Sequence, residues 1–210
     1  MGFIADRFNL EKQMTFYLSY HDNKVNQVIH LMCIWPIFIS GIMILAHTEA
    51  FAETPAVLKA LPFGDYVIFN YSVVMAAIYA LWYIALDLIY DDTNHAECSS
   101  AGSLGAAIVV SAYLFGNYFV QEAASFTDIP SLHVALGIHA TAWILQFIGH
   151  GVFERRKPAL FDSLDQAIIT APMFVLLEIL FPLGYRSDLY ARVTKQAKLN
   201  IKEFRAGKTL

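Results

Sequence analysis

Residues 66–86 read YVIFNYSVVMAAIYALWYIAL, a stretch without one Asp, Glu, Lys, Arg or His. As an α-helix rising 1.5 Å per residue it is about 31 Å long, enough to cross a hydrocarbon core of roughly 30 Å with some tilt. In lipid every backbone polar group must be satisfied within the segment, so this run sets the class of the chain: an all-α, integral membrane helical bundle. Four more apolar runs, 31–46, 104–120, 132–148 and 167–183, give four or five membrane segments. Leu31 to Ala46 is only about 24 Å long as a helix and crosses only if its flanks extend it. Composition agrees, since 57% of the 210 residues are hydrophobic and 15% charged, with a mean hydropathy of +0.49. Those values lie outside the range of ordinary soluble domains. The reading is one membrane domain over 1–210, with an amphipathic N-terminal segment (1–30), a bundle (31–184) and a basic tail (185–210).

Segments three and four, joined by a short loop containing Pro130, read as a tight helical hairpin. The fifth run carries Pro172, Glu178 and Pro182 and is the one expected to be broken, tilted or partly inserted. Loop charge tests the crossing number, because Lys and Arg near span ends stay cytoplasmic. Five crossings put Arg7, Lys12, Lys24, Arg155, Arg156 and Lys157 on one side, against Lys59 and the seven basic residues of the tail. A re-entrant fifth segment moves the tail, leaving Lys59 alone. Four crossings with both termini in the cytoplasm are therefore expected, and removal of the tail only by a lumenal protease would contradict this.

The net charge of −4 and the dispersed acids give no nucleic-acid surface. Cys33, in an apolar run, and Cys98, in a polar loop, read as two unpaired thiols. The N-terminus has neither a signal-peptide nor a transit-peptide pattern, and Asp6 stands where a myristoylation signal wants Ser or Thr. GxSxG, GxGxxG, P-loop, HExxH and the histidine boxes of membrane di-iron hydroxylases are all missing.

Ionisable groups at membrane depth are costly and need a reason. His139 and Glu178 are the clearest; His21 and His30 precede the first run, and His150 ends the fourth. In the four-crossing reading the last three share one membrane face. Neutral imidazoles suit Fe, Zn, Cu and Ni. His139 and His150, eleven residues apart, lie about 16 Å apart along a straight helix. Either the helix breaks, at Gly149 or Gly151, or the two serve different sites. His21 and His30 fall on opposite faces of a continuous helix, so His21 belongs in a turn before it. Each histidine also has a plainer reading as a hydrogen-bonded or snorkelling side chain, the one kept for His47, His95 and His133. Asn26, four residues before His30, either hydrogen-bonds to it or caps a helix. Glu178 either carries a proton or satisfies backbone groups freed by Pro182. Arg155 and Arg156, in FERRKPALFD (153–162), read as lipid-headgroup anchors or as a carboxylate clamp.

Three stretches carry a resemblance. YHDNKVNQVIH (20–30) followed by Trp35-Pro36, HATAWILQFIGHGVFERRKPALFDSL (139–164) and APMFVLLEILFPLGY (171–185) are similar to motifs of the 2-hydroxy fatty acid dioxygenase family known from fungal phytosphingosine breakdown. The resemblance covers about residues 10–186 and is weakest between Asp87 and Leu132. It implies an Fe(II)-dependent endoplasmic-reticulum enzyme that cleaves the C1–C2 bond of a long-chain 2-hydroxy fatty acid with O2, giving an acid one carbon shorter. It implies His21, His30, His139 and His150 as ligands or near-ligands and Arg155 or Arg156 as a carboxylate contact; Asn26 and Glu178 are the candidate catalytic residues. Asp22 stands where the family has a further histidine. The competing expectation is a non-catalytic subunit of a larger membrane complex, using the 47–65 loop and the basic tail for partners; a transporter is disfavoured because no inverted halves are visible.

Overall fold

The computed structural model describes residues 7–89, 100–125, 127–157, 164 and 166–207, so His95 and Cys98 lie outside the described residues. The chain is an all-α membrane bundle. Its helices are α1 (Leu10–Ser19), α2 (Lys24–Leu45), α3 (Tyr71–Ile89), α4 (Ala101–Glu122), α5 (Ser131–Ile148), α6 (Ala171–Leu180) and α7 (Ser187–Arg205). Four stretches are long and apolar enough to cross a membrane: Lys24–Leu45, Tyr71–Leu88, Ala101–Ser125 and Ser131–Glu154. The first begins seven residues before the apolar run, and that extension supplies the missing length. Its start is set by Asn23, whose Oδ1 accepts from the amides of Val25 (2.9 Å) and Asn26 (3.4 Å). Pro36 sits inside α2, and Ser40 one turn later donates to the Pro36 carbonyl at 2.6 Å.

The fifth run is interrupted, as its prolines predict. It opens as a π-turn (Gln166–Thr170), continues as α6, tightens to a 3-10 turn (Phe181–Leu183), and bends by 116° into α7 through Gly184 (φ 92°) and Arg186 (φ 44°). Every residue from Ala171 to Leu177 is buried, so the first two turns of α6 are covered by protein on all sides, and only its last turn reaches the surface, at Ile179. It fills the middle of the bundle, with Met173, Phe174 and Leu177 in the same core as Leu10 and Met14 of α1, Phe38 and Ile42 of α2, Tyr83 of α3 and Val109 of α4.

The expected tight pairing of segments three and four is not what forms. The antiparallel partner of α4 is α3, whereas α5 packs along α2 and barely touches α4. Small residues decide the first pairing: a Cβ on Gly102 would overlap Asp87 and the Tyr83 carbonyl, and one on Gly105 the Tyr83 ring. The tail adds an unforeseen element, because Leu189, Val193 and Ala197 recur every fourth residue and are buried as α7 lies against α1. The Arg186 guanidinium pairs with Asp87 at 3.2 Å, and the other Asp87 oxygen accepts from the Gly102 amide at 2.8 Å. The bend before α7 is thereby tied to the ends of α3 and α4.

Candidate metal centre and its cavity

Three histidines from three elements meet beneath α1. His21 sits in the turn between α1 and α2, His30 lies two turns into α2, and His150 lies in a π-turn, Gly149–Glu154, that widens the end of α5. They are 4%, 4% and 5% exposed, and their ligand nitrogens lie within 4.8 Å of one another. Ring centroids are 4.3 Å (His21–His30), 4.8 Å (His30–His150) and 5.2 Å (His21–His150) apart.

Main-chain carbonyls set the tautomers. His21 Nδ1 donates to the Tyr17 carbonyl at 2.6 Å and His30 Nδ1 to the Asn26 carbonyl at 2.9 Å. A carbonyl can only accept, so the lone pair of each neutral ring is on Nε2. The Nε2 of His21 is buried with no hydrogen-bond partner among the described residues, and that of His30 faces His150 Nε2 at 3.1 Å. Burial, then the neighbouring His30 and His150, hold the His21 imidazole well below its usual pKa, which keeps that lone pair available. The outer nitrogen of His150, Nδ1, is buried with no hydrogen-bond partner among the described residues, so carbonyls fix two of the three rings. Buried imidazoles that turn lone pairs toward one point, with outer N–H groups bonded to carbonyls as in His21 and His30, are how proteins present a transition-metal site.

Close packing of α5 on α2 holds this arrangement. A Cβ on Gly149 would overlap Asn26 Oδ1, while one on Gly151 would meet nothing within 4 Å. Asn26 is fully buried, and its side chain donates from Nδ2 to Glu154 Oε2 at 3.1 Å. Glu154 also accepts from the amides of Asp22 (3.1 Å) and Asn23 (3.0 Å), the two residues immediately before α2. One carboxylate at the end of the π-turn thus fixes His150 relative to the helix that carries His30.

A cavity of about 300 Å³ opens beside the three histidines, walled by apolar side chains such as Ile34, Phe38, Met75 and Phe174. Phe147 and Ile168 line it while remaining 46% and 42% exposed, so it opens to the surface between α5 and the Gln166–Thr170 turn. His139 lines the same cavity but is not brought into the three-histidine group. Its Nε2 accepts from Trp143 Nε1 at 3.0 Å, and its Nδ1 lies 3.0 Å from Ser40 Oγ. Ser40 spends its own proton on the Pro36 carbonyl, so Nδ1–H donates to Ser40, and both nitrogens are occupied in joining α5 to α2.

The remaining expected residues lie around the centre. Asn26 meets His30 through its main-chain carbonyl. Tyr17, stacked on His21 with centroids 4.1 Å apart, donates its hydroxyl to Glu178 Oε2 at 2.9 Å. Burial, then the carboxylate, hold that phenol well above its usual pKa, so it remains a donor. Glu178 itself lines a separate groove with Asp22, Lys24 and Lys198. Arg156 lies between the rings of Tyr20 (3.6 Å) and Phe204 (4.0 Å) and donates to the Ser19 carbonyl at 2.9 Å, tying the π-turn to α1 and α7. Arg155 is exposed with φ 54°, and neither arginine lines the cavity.

A family model described as "2-hydroxy-palmitic acid dioxygenase Mpo1-like" matches residues 8–183. The chain belongs to the Mpo1-like family. It is similar to the 2-hydroxy-palmitic acid dioxygenase MPO1 of Saccharomyces cerevisiae, with 29% identity over 195 residues that cover 93% of this chain and 92% of that protein. No solved structure matches it. Within this Mpo1-like chain Asp22 does not join the histidines; its carboxylate pairs with Arg205 of α7. Sequence reasoning passed over Glu154, which reads there as one acid among the cations of a loop. It also passed over Gln146, a buried residue in the cavity wall one turn before His150.

Proposed function

We propose that the chain is an Fe(II)-dependent dioxygenase that cleaves the C1–C2 bond of long-chain 2-hydroxy fatty acids with O2, giving fatty acids one carbon shorter, with C1 leaving as CO2 and water formed alongside. The observation that carries this reading is the group of three buried histidines opening onto an apolar cavity. The name of the yeast relative supports the substrate class. His21, His30 and His150 would hold the metal, three protein ligands that leave positions for substrate and O2. Ferrous iron bound there supplies redox chemistry with O2 that no side chain provides.

The chain's own residues do the rest. Tyr17 and Asn26, through their carbonyls, orient His21 and His30; Glu154 and Gly149 position His150. The apolar walls hold the acyl chain and exclude water, which strengthens electrostatic interactions at the head. His139 ties the two helices that form one wall, and Glu178 acts through Tyr17 on the His21 side. The substrate is an amphiphile, and the opening at Phe147 and Ile168 suits entry from the surrounding lipid. The endoplasmic-reticulum membrane is the proposed location.

The test is turnover of 2-hydroxypalmitate by chain purified anaerobically with Fe(II) and then exposed to air, read by mass spectrometry. A C15 acid as product is the expected result. Iron-loaded, well-folded protein that leaves the substrate intact would overturn the reading and favour a non-catalytic subunit of a membrane complex.

A further inference from the structure

The cavity wall contains few polar side chains, and nearly all are committed elsewhere. Tyr17 donates to Glu178, Tyr79 donates to the Ile168 carbonyl at 2.9 Å, and Trp143 and His139 are bonded to each other. Apart from the three converging histidines, one polar group in this wall is left over. Gln146, on α5 one turn before His150, is 3% exposed, and its Nε2 is buried with no hydrogen-bond partner among the described residues. A buried amide donor without a partner costs free energy and is rare in native proteins, so one on a side chain that lines a ligand cavity and needs only a small turn to reach it calls for a ligand acceptor. Four residues of helix rise put Gln146 about 6 Å deeper than His150 along α5.

We propose that Gln146 is a substrate-binding residue whose side-chain amide donates to the carboxylate of the bound fatty acid. The assignment rests on the cavity being the acid site. It gives the carboxylate contact to a buried neutral donor, in place of Arg155 and Arg156, which lie outside the wall. A neutral donor fits the surroundings, because an unpaired cation in so apolar a wall would pay a large desolvation cost.

The experiment is equilibrium binding under anaerobic conditions, with no turnover, of 2-hydroxypalmitate and of 1-hexadecanol, which keeps the chain but lacks the carboxylate. Native protein is compared with Gln146→Leu and Gln146→Glu, each checked by thermal unfolding. A hydrogen bond to a charged acceptor predicts a loss of about tenfold or more in 2-hydroxypalmitate affinity for Gln146→Leu. The hexadecanol affinity stays unchanged. The Tm of Gln146→Leu stays level or rises, because an unpartnered buried amide is removed. Gln146→Glu sets one carboxylate against another and weakens acid binding further, again sparing the alcohol. Equal losses for acid and alcohol, no loss for either, or a marked fall in the Tm of Gln146→Leu would overturn the assignment. Native protein that binds the acid in this way but never shortens it would instead defeat the proposed reaction and leave Gln146 in place.

Discussion

Replacing Gly149 with alanine should damage the metal centre, while the same change two residues later should not. The Cβ of an alanine at 149 would come within 3.0 Å of Asn26 Oδ1, with Asn26 Cγ and Ile29 Cδ1 each at 3.5 Å. Asn26 has no room to yield: it is fully buried, and its Nδ2 is held by Glu154. Relief requires either breaking that charge-assisted bond or moving the π-turn off α2 by about 1 Å, the gap between such a contact and ordinary van der Waals separation. Overpacking of this kind costs about 1–3 kcal/mol. Because the neighbouring residue is His150, the displacement passes to the ligand set, and disturbing the support of a metal ligand typically lowers affinity by about 10- to 100-fold. At Gly151 an added Cβ meets nothing, and alanine is the better helix former by up to about 1 kcal/mol, so Gly151→Ala should be neutral or slightly stabilising. Competition between the purified variants and a chromogenic Fe(II) chelator, alongside thermal unfolding, reads both quantities. Native-like iron affinity in Gly149→Ala, or equal damage from the two variants, would refute the reasoning.

Two further outcomes separate ligands from scaffolding. His139→Ala should lower stability by about 1–3 kcal/mol, since it leaves the Trp143 indole N–H without its acceptor and removes the link from α5 to Ser40, yet keep the native iron stoichiometry; loss of iron would make His139 a ligand after all. Arg156→Ala gives up two cation–π contacts and should lower unfolding stability by about 1–2 kcal/mol, while acid affinity measured as for Gln146 stays native; a selective loss of acid binding would restore the clamp role.

Much of this was legible because it depends on order along the chain. Hydropathy located the spans and helix geometry placed His21 in a turn; of the two alternatives for His139 and His150 the second holds, since the helix runs on through a π-turn to Glu154 without a break and His139 stays outside the three-histidine group. The prolines of the fifth run foretold its interruption. What escaped depends on which helices become neighbours. Periodicity fixes a residue's direction on its own helix and is silent on the partner it meets, so the pairing of α5 with α2 could not be read. Nor could the capture of Arg156 by Tyr20 and Phe204, or the capping of α2 by Glu154. His139 and His150 look equivalent in sequence; they differ because Trp143 and Ser40 occupy both nitrogens of the first. Gln146 carries no signal until its surroundings show that its amide has nothing to bond.

The most direct test of the account is metal content and ligand environment by X-ray absorption in chain purified anaerobically with Fe(II), native and with His21, His30 or His150 replaced singly by alanine. The account predicts about one iron per native chain, coordinated by three imidazoles, and its loss or severe weakening in each variant. Native protein that holds no iron, or variants that retain it with unchanged coordination, would contradict the claim that these three histidines form the metal centre.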